Sequence, residues 1–313
     1  MSRCKIGASL SLSLLLLMFA GGVNAATLYV ECAAKEGLHS IGAALKVLQH
    51  VPGPNTVNVS GACNENVVIQ SMDHLTLNAL NGASINDASQ GANTVLNIAD
   101  SRDVAINNFI INGYAAGTSG NDAVWCQDAS VCRFNGDTVQ NAPGGAGIGV
   151  YSGSYADIEG GFVQNNSGWT GLAVFRSAKA RAQGLTSQRN WRGFVVAEGG
   201  HLQLINSSST GNTDIGIELR QGAAVVCNPC TVSGNGSAGV NVEQSSVATF
   251  NANSSITGNV EAGINLTNLS SATFDGTGNV TNNNGGQGDI VCNPNYTTAA
   301  YLPAAVGKVV NCP

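Results

Sequence analysis

Residues 193–219 read GFVVAEGGHLQLINSSSTGNTDIGIEL and contain one complete unit of an internal repeat. The unit opens on Gly193, apolar residues follow one and three positions later, and the next unit opens in the same way on Gly216. A second alternating apolar pair, Leu202 and Leu204, lies nine and eleven residues after Gly193. Because successive side chains of a strand point to opposite faces, each pair predicts a short strand with one buried face.

The same pattern extends in both directions along the chain. The opening residues, which we call openers, are Gly147, Gly171, Gly193, Gly216, Gly239 and Gly263, at intervals of 24, 22, 23, 23 and 24. Asn66, Val95 and Ala123 take the same place in earlier turns, and Gly288 begins a degenerate last turn that would point Val291 inward. A period near 23 with at least two strands, each too short to fold alone, predicts turns that stack at about 4.8 Å.

We therefore predict an all-β chain, a right-handed parallel β-helix of about ten turns with a short N-terminal helix as a cap. The hand follows the rule for parallel crossover connections. A leucine-rich horseshoe has a similar period but needs a Leu/Asn consensus and a helical back, and a propeller blade is about twice as long. Four asparagines stand four residues before an opener and predict a stacked amide ladder: Asn212, Asn235, Asn259 and Asn284.

The N-terminus has the pattern of a secretory signal peptide. Arg3 and Lys5 precede an apolar stretch at residues 6–20, and small residues lead to Ala25, after which we predict cleavage. An uncleaved anchor is the alternative. The mature chain would hold 11 basic and 19 acidic residues, a balance that excludes the basic surface that nucleic acid requires. We expect a secreted, extracellular or periplasmic protein with no membrane span after cleavage.

The mature chain would contain eight cysteines, and an even number in an exported chain indicates disulfides. Their positions favour four local pairs: Cys32 with Cys63, Cys126 with Cys132, Cys227 with Cys230, and Cys292 with Cys312. The spacing of Cys227 and Cys230 also suits a redox or metal site, but none of the four histidines lies near them in sequence. We therefore favour a structural disulfide and expect no metal and no cofactor.

The N-terminal segment has a distinctive order of elements. Helical spacing at residues 41–48 ends at Pro52-Gly53-Pro54, and a strand at residues 56–59 leads into the segment GACNENVVI that begins at Gly61. This opening resembles that of the pectate-lyase-like superfamily, without matching a specific enzyme family. The resemblance implies the β-helix fold and a groove on the exposed face of one parallel sheet.

The predicted domains are a signal peptide (1–25), an N-terminal cap (26–65), the β-helix (66–288) and a C-terminal cap (289–313).

Aromatic residues concentrate near the outer face of the opener strands, in a chain that is only 5% aromatic. Flat sugar faces stack on exposed rings, so these residues and one arginine predict a site for a polysaccharide or a cell-surface glycan. The candidates are Trp125, Tyr151, Trp169, Phe175, Trp191 and Arg192. The alternative is that the rings only pack on one another, which stabilises by about 0.5–1.5 kcal/mol per pair.

Charged residues follow the tryptophans and supply the catalytic candidates Asp214, Glu218, Arg220 and Glu261. Asp214 and Glu261 lie two turns apart, about 9.6 Å at the stacking repeat, near the upper end of the ~6.5–9.5 Å of inverting glycoside hydrolases. The other interpretation is a set of surface ion pairs, with Arg220 lying over Glu243. Residues 212–214 are similar to the Asn-Thr-Asp of polygalacturonases, but the companion motifs are absent, so we assign Asn212 to the amide ladder.

Two classes of function remain. The first is an exported protein that binds a polysaccharide in a groove on one sheet face, with chemical modification of that polysaccharide left open. An enzyme of this kind would be a polysaccharide lyase or a glycoside hydrolase, although no complete catalytic motif is present. The second is a non-catalytic surface, adhesive or structural solenoid.

Overall fold

The computed structural model describes residues 25–34, 37–116, 120–142, 144–277, 279–282, 284–292 and 310–311. One helix, α1 (Ile41–Leu48), precedes most of the strands. The hydroxyl of Ser40 accepts a hydrogen bond from the first turn of α1, and the carboxylate of Glu65 accepts two more from its free backbone N–H groups. The apolar face of α1 is buried against the first strands, which confirms the predicted short helix.

The strands form three parallel sheets, and each full turn of the chain adds one strand to each sheet; we call such a turn a rung. Sheet 1 is the sheet of the openers and contains Val67–Gln70, Leu96–Ala99, Val124–Gln127, Ile148–Val150, Thr170–Val174, Arg192–Val196, Ile217–Leu219, Val240–Val242, Ala262–Leu266, Gly288–Cys292 and Val310–Asn311. Sheet 2 contains Thr27–Glu31, Asn55–Ser60, Asp73–Ala79, Arg102–Asn107, Val131–Asn135, Tyr155–Glu159, Lys179–Gln183, His201–Ile205, Ala224–Cys227, Val247–Phe250 and Ser271–Phe274. Sheet 3 contains Ala62–Asn64, Ser84–Asn86, Ile110–Asn112, Thr138–Gln140, Phe162–Gln164, Thr186–Gln188, Ser207–Thr210, Cys230–Ser233, Ser255–Thr257 and Val280–Asn282. This arrangement confirms the predicted all-β parallel β-helix of about ten turns.

The predicted register is confirmed in the middle of the stack and differs by one residue at its end. Leu172, Phe194 and Ile217 are partners on successive rungs of sheet 1, and all three are fully buried in the lumen. In the last turn Gly288 pairs with Ala262 instead of Gly263. The expectation for Val291 was therefore wrong, because the shift turns the residues on either side of it inward.

The predicted amide ladder is confirmed and begins two rungs earlier than expected. Each side-chain amide donates to the side-chain oxygen of the next member at 2.9–3.2 Å, through Asn166, Asn190, Asn212, Asn235, Asn259 and Asn284. The ladder also explains why the openers are glycine. A Cβ atom at Gly216 would lie 2.6 Å from the amide nitrogen of Asn235 and 2.6 Å from the carbonyl oxygen of Gly239.

Three of the predicted disulfides are present, Cys32–Cys63, Cys126–Cys132 and Cys227–Cys230. Cys292 is also disulfide-bonded, and its predicted partner Cys312 lies outside the described residues. Disulfides of this kind are compatible with an extracellular protein. Cys227 and Cys230 form the predicted disulfide, and its structural use in preference to a redox role stays a prediction.

The predicted signal peptide and most of the predicted C-terminal cap lie outside the described residues. Where the structure describes the chain, it contains no helix of the length and apolar character needed to cross a membrane. Both terminal assignments stay predictions.

Asp137 is a buried acid in the turn that enters sheet 3. One carboxyl oxygen accepts a hydrogen bond of 2.7 Å from the backbone N–H of Phe109. The other oxygen is buried without a hydrogen-bond partner. Burial raises the pKa of Asp137 from 3.8 to about 8, and the backbone hydrogen bonds offset only part of this effect.

We predict that Asp137 makes the protein less stable as the pH rises from about 4 to about 8. The folded state keeps the proton in this window while the unfolded chain releases it, so the free energy of unfolding falls by up to about 1.4 kcal/mol per pH unit. The variant Asp137→Asn removes this contribution, so it should match the wild type at pH 5 and exceed its stability at pH 8 by roughly 2–4 kcal/mol. Urea denaturation at both pH values measures the difference. Asp128→Asn, the same change at an exposed turn residue, is the control, and equal pH profiles for wild type and Asp137→Asn would contradict the prediction.

Candidate functional site

The outer face of sheet 1 carries a cleft of about 430 Å³, within the range of about 300–1,000 Å³ that is typical of ligand sites. Its lining residues are Gly120, Asp122, Trp125, Gln127, Tyr151, Trp169, Phe175, Arg176 and Glu198. Four of the six predicted binding residues therefore lie together. A smaller cavity of about 280 Å³ between α1 and the first strand of sheet 1 has neither aromatic nor acidic residues among the described residues that line it.

The cleft exists because two small residues separate larger ones on the outer face of sheet 1. Trp125, Gly149, Ala173 and Val195 are partners on successive rungs. Any side chain at Gly149 would overlap the ring of Tyr151 and the carboxyl group of Asp122. Glycine at this position lets the Tyr151 ring fold back over the sheet.

The rings on this face have two different roles. Phe175 is only 8% exposed and lies beneath Trp169 and Tyr151, with edge-to-face centroid distances of 5.3 and 6.1 Å. Together these rings cover Ala173 and Val195, which point outward but are fully buried. Trp125 and Trp169 stay partly exposed. Phe175 therefore supports the cleft, whereas the two tryptophans can contact a ligand.

Asp122 lies in the lining of the cleft and was missed by the sequence analysis. Its carboxyl group accepts hydrogen bonds of 2.6 Å from the hydroxyl of Tyr151 and 2.6 Å from the backbone N–H of Ala146. The residue is 4% exposed, and this burial raises its pKa from 3.8 to about 6, although hydrogen bonds from its neighbours oppose the shift. Burial, followed by the charge of Asp122, also raises the pKa of Tyr151, so the hydroxyl keeps its proton.

A signal for Asp122 was present in the sequence. It lies directly before an opener, and Arg192 has the same position in the repeat on a later rung. We call the residues that share one position of the repeat a column. Comparing that column across the rungs would have singled out Asp122 and Arg192, together with Glu65 before the opener Asn66, since most of its other members are Ala, Thr or Ile.

An arginine cluster lies beside the cleft and consists of Arg192, Asp214, Glu218, Arg220 and Glu243. Arg192 Nε lies 2.9 Å from a carboxylate oxygen of Asp214, and Arg192 Nη1 binds Glu218, whose side chain is 5% exposed. Arg220 Nη1 lies 3.9 Å from the other oxygen of Glu218. Burial and the nearby charge of Glu218 raise the pKa of Glu243.

The remaining candidates are divided between this cluster and open surface. The guanidinium of Arg192 stacks 4.3 Å above the ring of Trp191, so these two predicted binding residues belong to the arginine cluster and not to the lining of the cleft. Arg220 approaches Glu218, and its charge also acts on Glu243, the expected partner, where it opposes the rise in the pKa of that carboxyl group. Glu261 is exposed and accepts a hydrogen bond of 2.6 Å from Ser237. The catalytic roles proposed for Asp214, Glu218, Arg220 and Glu261 stay predictions.

One group of potential metal ligands occurs among the described residues, formed by Cys32, Cys63 and Glu65. Its two sulfur atoms are joined in a disulfide, and its carboxylate accepts two backbone hydrogen bonds from α1. The group is therefore a structural feature of the N-terminal end.

The stacked rungs and their three parallel sheets define the class of protein. The chain belongs to the family described as right handed beta helix region, which matches residues 93–277 and 191–299. This assignment also confirms the predicted right-handed sense. No curated protein sequence matches the chain.

Two solved structures from Azotobacter vinelandii are similar in fold. The A-module of mannuronan C-5 epimerase AlgE6 has a TM-score of 0.57 at 14% identity, covering 84% of this chain and 74% of that one. The A-module of mannuronan C-5 epimerase AlgE4 has a TM-score of 0.49 at 13% identity, covering 89% of this chain and all of that one. At 14% identity, the likeness to the AlgE6 A-module shows the fold alone.

Proposed function

We propose that this protein binds a polysaccharide in the cleft on the outer face of sheet 1. The observation that carries the proposal is the cleft itself, where Trp125 and Trp169 are partly exposed at one site together with the hydrogen-bonding groups of Asp122 and Tyr151. Aromatic rings offer flat apolar faces to the C–H groups of a sugar. The buried polar groups can then hydrogen-bond its hydroxyls and fix its orientation.

The repeat gives the cleft a shape that suits a polymer. Its lining residues come from several successive rungs of one parallel sheet, so the site follows the long axis of the β-helix. The fold neighbour with a TM-score of 0.57 is named for an epimerase of the polysaccharide mannuronan, which supports a polysaccharide as the ligand but does not specify its charge.

We propose that any modification of the polysaccharide would use Asp122 and Tyr151. Proton transfer requires a group whose pKa lies near the working pH, and the pKa of Asp122 is about 6. Asp214 and Glu218 are less suited, because both are held by Arg192.

We also propose export, with the mature chain beginning after Ala25, which N-terminal sequencing of the secreted protein would test.

The variant Trp125→Ala is expected to weaken polysaccharide binding by about fivefold or more, because it removes a central aromatic contact. Titration calorimetry against a panel of plant, algal and bacterial polysaccharides measures the effect. Phe162→Ala is the matched control, because that ring is 44% exposed on sheet 3, away from the cleft. Equal affinities for the two variants would place binding elsewhere, and no binding by the wild type across the panel would favour a structural solenoid.

A further inference from the structure

We infer that the cleft selects uncharged sugars and rejects uronic acids. The inference rests on the proposed function and adds the chemical class of the ligand. It follows from the charges that line the cleft and from the partners that those charges already have.

The charged side chains among the described lining residues of the cleft are two acids and one arginine, so a sugar carboxylate would meet a net negative charge there. Arg176 is the one basic side chain among the described residues of that lining, and its Nε lies 3.5 Å from a carboxylate oxygen of Glu198. Asp122 and Glu198 together outnumber it. A ligand carboxylate would therefore meet two acids and one arginine that is already paired.

The neighbouring arginines do not change this balance. Arg192 is held by Asp214 and Glu218, and Arg220 pairs with Glu218 while its guanidinium lies 5.8 Å from the ring of Phe175. The arginine cluster thus contains three acids and two arginines. A protein that binds polyanions usually presents unpaired arginine or lysine to the ligand.

Asp122 is the group that would discriminate most strongly. It is buried, so water screens its charge poorly, and a second carboxylate placed nearby would be strongly repelled. A neutral sugar avoids this repulsion, and its hydroxyl groups can donate hydrogen bonds to the acids of the cleft. The same residue that repels a uronate can therefore orient an uncharged sugar.

A matched pair of ligands tests the inference. Hexagalacturonate and its fully methyl-esterified form have the same backbone and differ in charge, and neutral hexasaccharides of glucose, mannose and xylose extend the comparison. Tryptophan fluorescence and titration calorimetry at pH 8, where Asp122 is ionised, report binding. We expect the esterified form to bind at least tenfold more tightly than the acid. Added salt should strengthen binding of the acid and leave that of the ester unchanged.

Two variants test whether the acids of the cleft cause the preference for the esterified ligand. Asp122→Asn should reduce the ratio of the affinities for the esterified and the acid hexasaccharide by at least fivefold. Asp122 is buried, so its replacement can also affect folding. Glu198→Gln therefore provides a second test at a side chain that is 44% exposed, and it should reduce the affinity ratio by about twofold or more. Glu159→Gln, at an exposed acid of sheet 2, is the control and should leave the difference as in the wild type.

The outcomes separate the inference from the proposed function. Tighter binding of the acid than of the ester, or binding of uronates alone, would overturn the charge selection and leave polysaccharide binding in place. A preference for the ester that both Asp122→Asn and Glu198→Gln retain in full would also overturn it. Absence of binding to every ligand would overturn both.

Discussion

The variant Arg192→Met is expected to lower the free energy of unfolding by about 3–5 kcal/mol. Arg192 is 16% exposed at its side chain and neutralises two carboxylates, Asp214 and the almost fully buried Glu218. Methionine fills a similar volume but leaves both acids without their main partner. The change also removes the guanidinium that stacks on Trp191, which adds about 0.5–2 kcal/mol to the loss. Urea denaturation at neutral pH measures the effect.

A double variant separates the uncompensated charge from lost packing. If the buried carboxylate is the cause, Arg192→Met/Glu218→Gln should recover most of the stability, because a neutral amide tolerates the site better than an unpaired charge. Arg176→Met is the matched control at an exposed ion pair, and it should cost about 0–1 kcal/mol. A loss at Arg192 no larger than that at Arg176 would show that the arginine cluster does not stabilise the fold.

The variant Asn212→Ala is expected to destabilise the protein by about 3 kcal/mol or more. The Asn212 side chain is buried, accepts from the backbone N–H and the amide of Asn190, and donates to Asn235 and Ser209. Its removal leaves the buried backbone N–H of Asn190 without an acceptor, at about 1–3 kcal/mol for an unsatisfied group, and it also removes three side-chain hydrogen bonds of the ladder. It also opens a gap in the middle of a continuous ladder.

Thermal and urea unfolding of Asn212→Ala test the ladder, and hydrogen exchange locates the effect. Amides of the rungs on both sides of residue 212 should lose protection before those of the terminal rungs. Asn228→Ala replaces an exposed asparagine of the same region and should change stability by no more than about 0.5 kcal/mol. Similar losses for the two variants would mean that the ladder contributes nothing beyond ordinary turn structure.

The aromatic residues show that a repeat predicts the position of a residue better than the direction of its side chain. Trp169 and Trp191 were both assigned to the binding face, but one ring turns towards Phe175 and the other lies under Arg192. A column position gives the rung and the face of a residue, whereas the direction of a long side chain depends on its neighbours on other rungs. For the same reason the position of Arg220 indicated an interaction with Glu243 but not its additional approach to Glu218.

The period, the inward apolar columns and the asparagine ladder could be read from residue order because they depend on local spacing. Strand alternation and a repeat near 23 residues place Phe194, Ile217 and their equivalents in the lumen without knowledge of the rest of the chain. The cleft depends on contacts between distant residues. Asp122 and Tyr151 are 29 residues apart, and they meet because glycine at position 149 leaves room for the ring. Burial, pairing and the pKa of Asp122 arise only when the rungs are stacked, because each reflects the surroundings of a side chain and not its place in the repeat.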